Sequence, residues 1–334
     1  MQNYRVTLAC RNYDRTQAII YGLVKPPGVD LQVVETTNMP QMFSGMFHGE
    51  YDVSEMSLAE LVYYASRDQN DFIGIPVFPA KVFRHGFIFY NASSGIDGPA
   101  SLEGKNLGFP RLVMTAVVWI RGILADEYNI RPKNTSCYFA SVQHWDDGVV
   151  GIQDVAPRDG SVIHLLEKNG KDDDETVESA LMEGKIHVLG QAKPPRPFRM
   201  GDERIKRLFP DYKAVEAAYF KHTGIFPIMH VLVVRKAVVD QHPDLPDKLF
   251  KLFVQSKRLA NKWLRTGPSL GLVWKEQYLD DEEEFFQGDP WAYGLGENGH
   301  IISKFLSYCY AQGVSAREMS PKDLFAPSTW DLTE

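Results

Sequence analysis

The sequence predicts an α/β protein in two lobes, and three observations predict it. Strand-like and helix-like segments alternate over residues 4–65, extended apolar runs interrupt that pattern twice, and 334 residues exceed the usual size of one core. Strands over 4–9, 31–36 and 52–56 precede helices over 16–23, 40–48 and 58–65, which is the order of a parallel or mixed sheet with helices on both faces. Each strand ends in a polar cluster, at 11–15, 36–38 and 54–57, and in open α/β sheets such ends line the ligand crevice. The run Gly86-Phe-Ile-Phe-Tyr90 and the Gly/Ser turn after it read as a crossing into a second lobe. That lobe holds strands over 105–109 and 135–140, a helix over 112–128, and a helix over 175–186 that runs into a strand. A second extended run, at 223–234, returns the chain to the first lobe, and 243–311 is mainly helical. The expected division is 1–90 with 231–334 as lobe 1 and 91–230 as lobe 2. Two crossings make a hinge over a cleft.

Composition narrows the function. Apolar residues are 44% and charged residues 24%, so a compact fold is expected throughout. A net charge of -7 and acidic runs at 172–175 and 280–284 would repel a phosphate backbone, which argues against nucleic acid as a partner. Three scattered cysteines, Cys10, Cys137 and Cys309, suit a reducing compartment, not a disulfide framework. The N-terminus lacks the basic start and long apolar run of a signal peptide, so a cytoplasmic location is expected. The longest apolar stretch, near 225–234, is about half the length that spans a bilayer, and no membrane partner is expected. The phosphate-binding, dinucleotide-binding and serine-elbow glycine patterns are all missing. A small molecule is the expected partner, and nothing excludes a homo-oligomer.

Several polar groups stand out. Asp14 reads equally as a helix N-cap or a site residue, and Arg15 beside it would add a bidentate donor to the positive end of a helix. In the cluster that starts at Ser54, Ser57 reads as a cap with Glu60 at the capping-box position, whereas Glu55 suits proton transfer, the orientation of a histidine, or a solvated turn. Arg84 and His85 lie at the first crossing, with Gly86 allowing close backbone approach. Thr115 falls in a first helical turn where an anion can dock, while Trp119 and Arg121 read first as core and as a snorkelling side chain. His222 and His230 bracket a rigid bend at the second crossing, so His85 and His230 are expected to meet in the cleft. No histidine pair has metal-ligand spacing, and no metal or cofactor is expected.

These residues sit in longer blocks. Leu8-Ala-Cys-Arg-Asn-Tyr-Asp-Arg-Thr16, Asp52-Val-Ser-Glu-Met-Ser57, Ile75-Pro-Val-Phe-Pro79 with Phe83-Arg-His85, Met114-Thr-Ala-Val-Val-Trp-Ile-Arg-Gly122, Leu208-Phe-Pro-Asp-Tyr212, His222-Thr-Gly-Ile-Phe-Pro-Ile-Met-His230 and Trp291-Ala-Tyr-Gly294 together resemble the 4,5-dihydroxyphthalate decarboxylase family. The resemblance runs from residue 4 to about 328 in the same order. It implies a type 2 periplasmic-binding-protein-like fold, used by a cytoplasmic enzyme that removes one carboxyl group from a dihydroxylated phthalate without an organic cofactor. Departures fall in the second lobe, at Trp145-Asp-Asp-Gly-Val149 in place of a Trp-x-x-Gly-Gly pattern and at His187-Val188 in place of Asp-Ala.

Such a reaction asks for carboxylate clamps, a proton donor above the ring carbon and a group that polarises a ring hydroxyl. Arg15, Arg84 and the helix starts at Asp14 and Thr115 are the expected clamps, with Ser54, Arg121, His222 and Trp291 completing the substrate-binding set. His85 or His230 is the expected donor, with His85 favoured, and Glu55 the orienting or accepting carboxylate. A non-catalytic binding protein for an aromatic acid and a decarboxylase of another hydroxybenzoate are the alternatives, since fold alone does not decide function.

Overall fold

A computed structural model describes residues 3–68, 71–142, 154–267 and 271–334. The segment holding Trp145 to Val149 lies outside them. The chain begins with β1 (Tyr4–Cys10), α1 (Asp14–Ile20), β2 (Val29–Glu35), α2 (Met39–Phe47), β3 (Val53–Ser57), α3 (Leu58–Ala65) and β4 (Phe72–Lys81). It continues through β5 (Ile88–Asn91), β6 (Asn106–Arg111), α4 (Thr115–Tyr128), β7 (Ser136–Ser141), β8 (Val162–Leu165), α5 (Asp173–Met182), β9 (Val188–Gly190), α6 (Arg196–Arg199) and β10 (Ile205–Arg207). It closes with α7 (Tyr212–Thr223), β11 (Ile228–Arg235), α8 (Lys236–Gln241), α9 (Leu245–Thr266), α10 (Lys275–Phe286) and α11 (Leu295–Ala311).

Two mixed sheets result. The first has the order β2-β1-β3-β11-β4, with β1 parallel to β2 and β3, and with β11 inserted antiparallel to both β3 and β4. The second has the order β10-β5-β9-β6-β7-β8. Every residue of β3 is buried, as expected for a central strand covered on both faces. The chain leaves the first sheet after β4 and rejoins it at β11, so it crosses between lobes twice. β5 pairs with β9 from Ile88 and with β10 from Phe89, and β11 pairs with the first sheet from Ile228.

The lobes do not keep separate interiors. One continuous apolar cluster runs from Val6 and Leu8 in β1 to Leu107 and Phe109 in β6 and Phe139 in β7. α4 is the reason: Val117, Trp119 and Ile120 are buried on it, and the Trp119 indole N–H donates to the Ile228 carbonyl at 2.9 Å, tying the second lobe to β11. Gly122 permits the approach of α11, since a Cβ there would stand 2.3 Å from the Tyr308 ring. A second, smaller cluster of Phe89, Val177, Leu181 and Leu189 lies between the second sheet and α5. Among the described residues no helix is long and apolar enough to cross a membrane.

Candidate active site

The site starts from strand pairing. In β11, His230 stands opposite Ser57 and Leu232 opposite Glu55, so His230 and Glu55 are diagonal neighbours on one face of the first sheet. Their side chains meet, with His230 Nδ1 2.5 Å from Glu55 Oε1. The Tyr13 hydroxyl, just beyond β1, donates to the same oxygen at 2.7 Å. Phe43 of α2 packs edge-on against the imidazole at 5.4 Å. Burial pushes the Glu55 carboxyl upward, but the hydrogen bond and charge of His230, the Tyr13 hydroxyl and the Arg11 charge together hold it below its ordinary value. Glu55 is therefore an anionic acceptor, which places a proton on His230 Nδ1 and leaves Nε2 as the nitrogen for a ligand.

His230 faces a cavity of about 280 Å³ between the lobes. Arg11, Tyr13, Ser57 and Glu60 line it from the first lobe, Arg111, Thr115 and Ala192 from the second, and Arg84 and Met229 from the crossings. Three guanidiniums around so small a space make it a receptor for anions. Arg84 is buried, donating from Nε to Met229 Sδ at 3.1 Å and from Nη1 to the Ala192 carbonyl at 3.4 Å. Burial lowers its pKa to about 9 against the opposing Glu216 charge. Arg11 donates to Met39 Sδ at 3.2 Å. Thioethers are weak acceptors, so both fingers retain capacity for a carboxylate. Arg111 reaches Asp173 Oδ2 at 3.4 Å.

The lobes also meet through hydroxyls. Ser57 Oγ and Thr115 Oγ1 lie 2.9 Å apart, and Thr115 Oγ1 accepts the Ala59 N–H at 3.0 Å. The first turn of α3 is thus capped from the other lobe, and Ser57 does not form the capping box expected of it. Glu60 instead lines the cavity, where burial pushes its carboxyl well above the ordinary range despite the lowering charge of Arg111.

No family model matches the chain. A 4,5-dihydroxyphthalate decarboxylase of Comamonas testosteroni is 32% identical over 335 residues, covering 98% of each chain. The chain belongs to the 4,5-dihydroxyphthalate decarboxylase family. A protein of the same name from Pseudomonas putida is 24% identical over 225 residues, 66% of this chain and 83% of that one. Among solved structures, the periplasmic aliphatic sulphonate binding protein SsuA from Escherichia coli matches with a TM-score of 0.56 and 10% identity, over 100% of this chain and 94% of that one. That likeness establishes the two-lobed periplasmic-binding-protein-like fold for this member of the decarboxylase family.

Of the residues singled out in the sequence, the cavity collects Arg84, Thr115 and His230, with Glu55 behind the histidine. Ser54 lies deeper, its hydroxyl bonded to the Glu55 carbonyl at 2.9 Å. The expected meeting of His85 with His230 is corrected. His85 opens a one-turn 3-10 helix and is buried against Tyr128, Phe209 and Tyr219, with ring centroids 5.2–6.0 Å away. Neither of its ring nitrogens has a hydrogen-bond partner, and burial lowers its pKa to about 4, so the ring is neutral. Gly86 fits the expectation of close approach, since a Cβ would meet the Tyr212 ring at 2.9 Å.

Asp14 is the first residue of α1, not its cap, and Arg15 does not line the cavity. Arg15 donates to the Pro79 carbonyl at 2.6 Å and stacks over Trp291 at 3.7 Å. Asp14, Arg15 and Trp291 line a different, more open groove beside α9 and α10. Arg121 is spent inside the second lobe, on Ser161 at 2.8 Å and Asp159 at 3.5 Å, and His222 is exposed near the end of α7. His187 accepts the Asn106 N–H at 2.9 Å and does not line the cavity. The polar lining residues not predicted as site residues from the sequence are Arg11, Tyr13, Ser57, Glu60 and Arg111. Arg11 and Tyr13 stand in the polar cluster after β1, a signal present in the sequence. Among the described residues, no group of three or more His, Cys, Asp or Glu side chains is arranged to hold a metal ion.

Proposed function

We propose that this chain decarboxylates a hydroxylated phthalate-type acid in the inter-lobe cavity, with 4,5-dihydroxyphthalate giving 3,4-dihydroxybenzoate and carbon dioxide as the first substrate to test. The observation that carries the reading is Glu55 gripping His230 Nδ1 from behind, with His230 lining a cavity together with Arg11, Arg84 and Arg111. A bare ring carbanion is too costly an intermediate, so the ring carbon must gain a proton before or during loss of carbon dioxide. A hydroxyl para to the departing carboxylate supports that protonated state by giving up its own proton. The arginines suit two carboxylates, and His230 Nε2 suits the hydroxyl proton, its ring fixed by Glu55 and Tyr13. Three buried free cysteines support a reducing, cytoplasmic setting.

The test is to incubate the purified chain with a panel of hydroxylated benzoates and phthalates and to follow carbon dioxide. Release from 4,5-dihydroxyphthalate, lost in His230→Asn, is the expected result. A second reading, a non-catalytic binding protein, draws on the fold shared with the sulphonate binding protein. Tight binding of an acid from the panel without carbon dioxide would favour it.

A further inference from the structure

We propose that Glu60 is the acid that protonates the ring carbon from which the carboxylate departs. The inference rests on the decarboxylase reading and adds to it the second of the two proton-transfer groups the chemistry needs. Glu60 projects from the first turn of α3, is buried, and shares the cavity lining with His230. The other titratable and charged groups facing that space do not serve as carbon acids. Arg11, Arg84 and Arg111 are the carboxylate clamps, and a guanidinium that gave up its proton would release the carboxylate it holds. The Tyr13 proton is committed to Glu55, and burial together with the Glu55 charge raises its pKa. Asp173 stands behind Arg111, bonded to the Ser141 hydroxyl at 2.8 Å. His230, whose Nδ1 lies against Glu55 Oε1, is the group assigned to the ring hydroxyl, so the ring carbon needs a second one.

The two buried glutamates of β3 and α3 are pushed in opposite directions. His230 and Tyr13 pull Glu55 toward its ionised form, and burial pushes Glu60 toward its protonated form. Paired groups whose environments drive their protonation apart mark the acid and the base of a site. Arg111 then has a defined part, because its charge favours the Glu60 carboxylate once the proton has left.

The step balances as follows. His230 Nε2 takes the proton of the para hydroxyl, and the oxygen lone pair becomes the carbonyl bond of a ring dienone. The ring π electrons form a C–H bond with the Glu60 proton at the carbon bearing the carboxylate. The C–C bond then breaks, its electron pair restores the ring, and carbon dioxide leaves. The phenolic oxygen regains its proton from His230, and Glu60 takes one from water. One proton is consumed for each carbon dioxide released, and no redox partner is needed.

The experiment compares wild type with Glu60→Gln and Glu60→Asp, measuring kcat against pH and the dissociation constant of phthalate, which keeps both carboxylates but lacks the hydroxyls. Glu60→Gln is expected to lower kcat by at least about a hundredfold and to leave phthalate binding within about threefold, because a general acid acts only in the transition state. The alkaline limb of the kcat profile is expected to vanish from its residual activity, which a merely structural role would not cause. Glu60→Asp, which keeps the acid but withdraws it, is expected to lose about tenfold to a hundredfold in kcat and stands in if the Gln variant does not fold. If wild type releases carbon dioxide and either folded variant retains full kcat, the Glu60 assignment is overturned and the decarboxylase reading stands. If wild type releases none from any acid tested, the decarboxylase reading fails and takes the Glu60 assignment with it.

Discussion

Replacing Glu55 by Gln tests the centre of the site most directly. Glu55 Oε1 accepts from Tyr13 at 2.7 Å and from His230 at 2.5 Å, while Oε2 is buried with no hydrogen-bond partner. A Gln side chain keeps one acceptor for both donors but removes the charge, which about halves the strength of each bond, a loss of roughly 1 kcal/mol apiece. It also puts an amide N–H₂ into the buried Oε2 position, where an unsatisfied donor costs about 1–3 kcal/mol. The sum is a destabilisation of about 3–5 kcal/mol near neutral pH, measurable by urea unfolding. It should depend on pH in a defined sense. Because the native carboxyl sits below its ordinary value, the stabilisation by Glu55 is complete above that value and is lost as pH falls through the native pKa. The gap between wild type and Glu55→Gln should therefore narrow in acid. In the same variant the imidazole loses its fixed tautomer, and kcat should drop by about a hundredfold or more. A stability difference under about 0.5 kcal/mol, or one that does not change with pH, would refute the argument that Glu55 is an ionised acceptor.

Three further outcomes follow from the same geometry. Arg84→Lys should lower kcat/KM by at least about tenfold, since an ammonium cannot reproduce the planar fork, and unchanged kinetics would remove Arg84 from the clamp. Arg15→Lys should leave kcat and KM within about twofold yet lower Tm, because the guanidinium stacks on Trp291 outside the cavity; a raised KM would return it to the site. His85→Phe should keep activity and flatten the acid side of the stability curve. The wild-type histidine, neutral when buried, loses about 1.4 kcal/mol per pH unit as pH falls from its ordinary 6.5 toward about 4, and an unchanged slope in the Phe variant would show that His85 is not the cause.

The sequence announced its lobes better than its chemistry. Alternating periodicity and polar strand ends are local signals, and they led to the cluster after β1 and to Glu55. The partnership of Glu55 with His230 joins residues 175 positions apart and depends on β11 entering the sheet between β3 and β4, a pairing no local pattern encodes. His85 misled because its neighbour Arg84 does reach the cavity, while the next residue begins a 3-10 turn that carries the ring into an aromatic cluster. Arg15 misled in a related way: Arg11 precedes α1 and meets the cavity, and the helix turns Arg15 to another face. Glu60 was hidden by a good capping pattern, which tertiary structure overrode by supplying the cap from Thr115.

That cap has a consequence for turnover. A cleft between lobes must part to admit a substrate and release a product. Here parting the segments that hold Ser57 and Thr115 would strip the Ala59 amide of its acceptor and loosen the turn on which Glu60 is mounted. Opening of the cleft and the placement of the Glu60 carboxyl are thereby mechanically linked. A receptor needs only to hold and let go, whereas a latch that also sets the aim of its contents is suited to chemistry done behind a closed door.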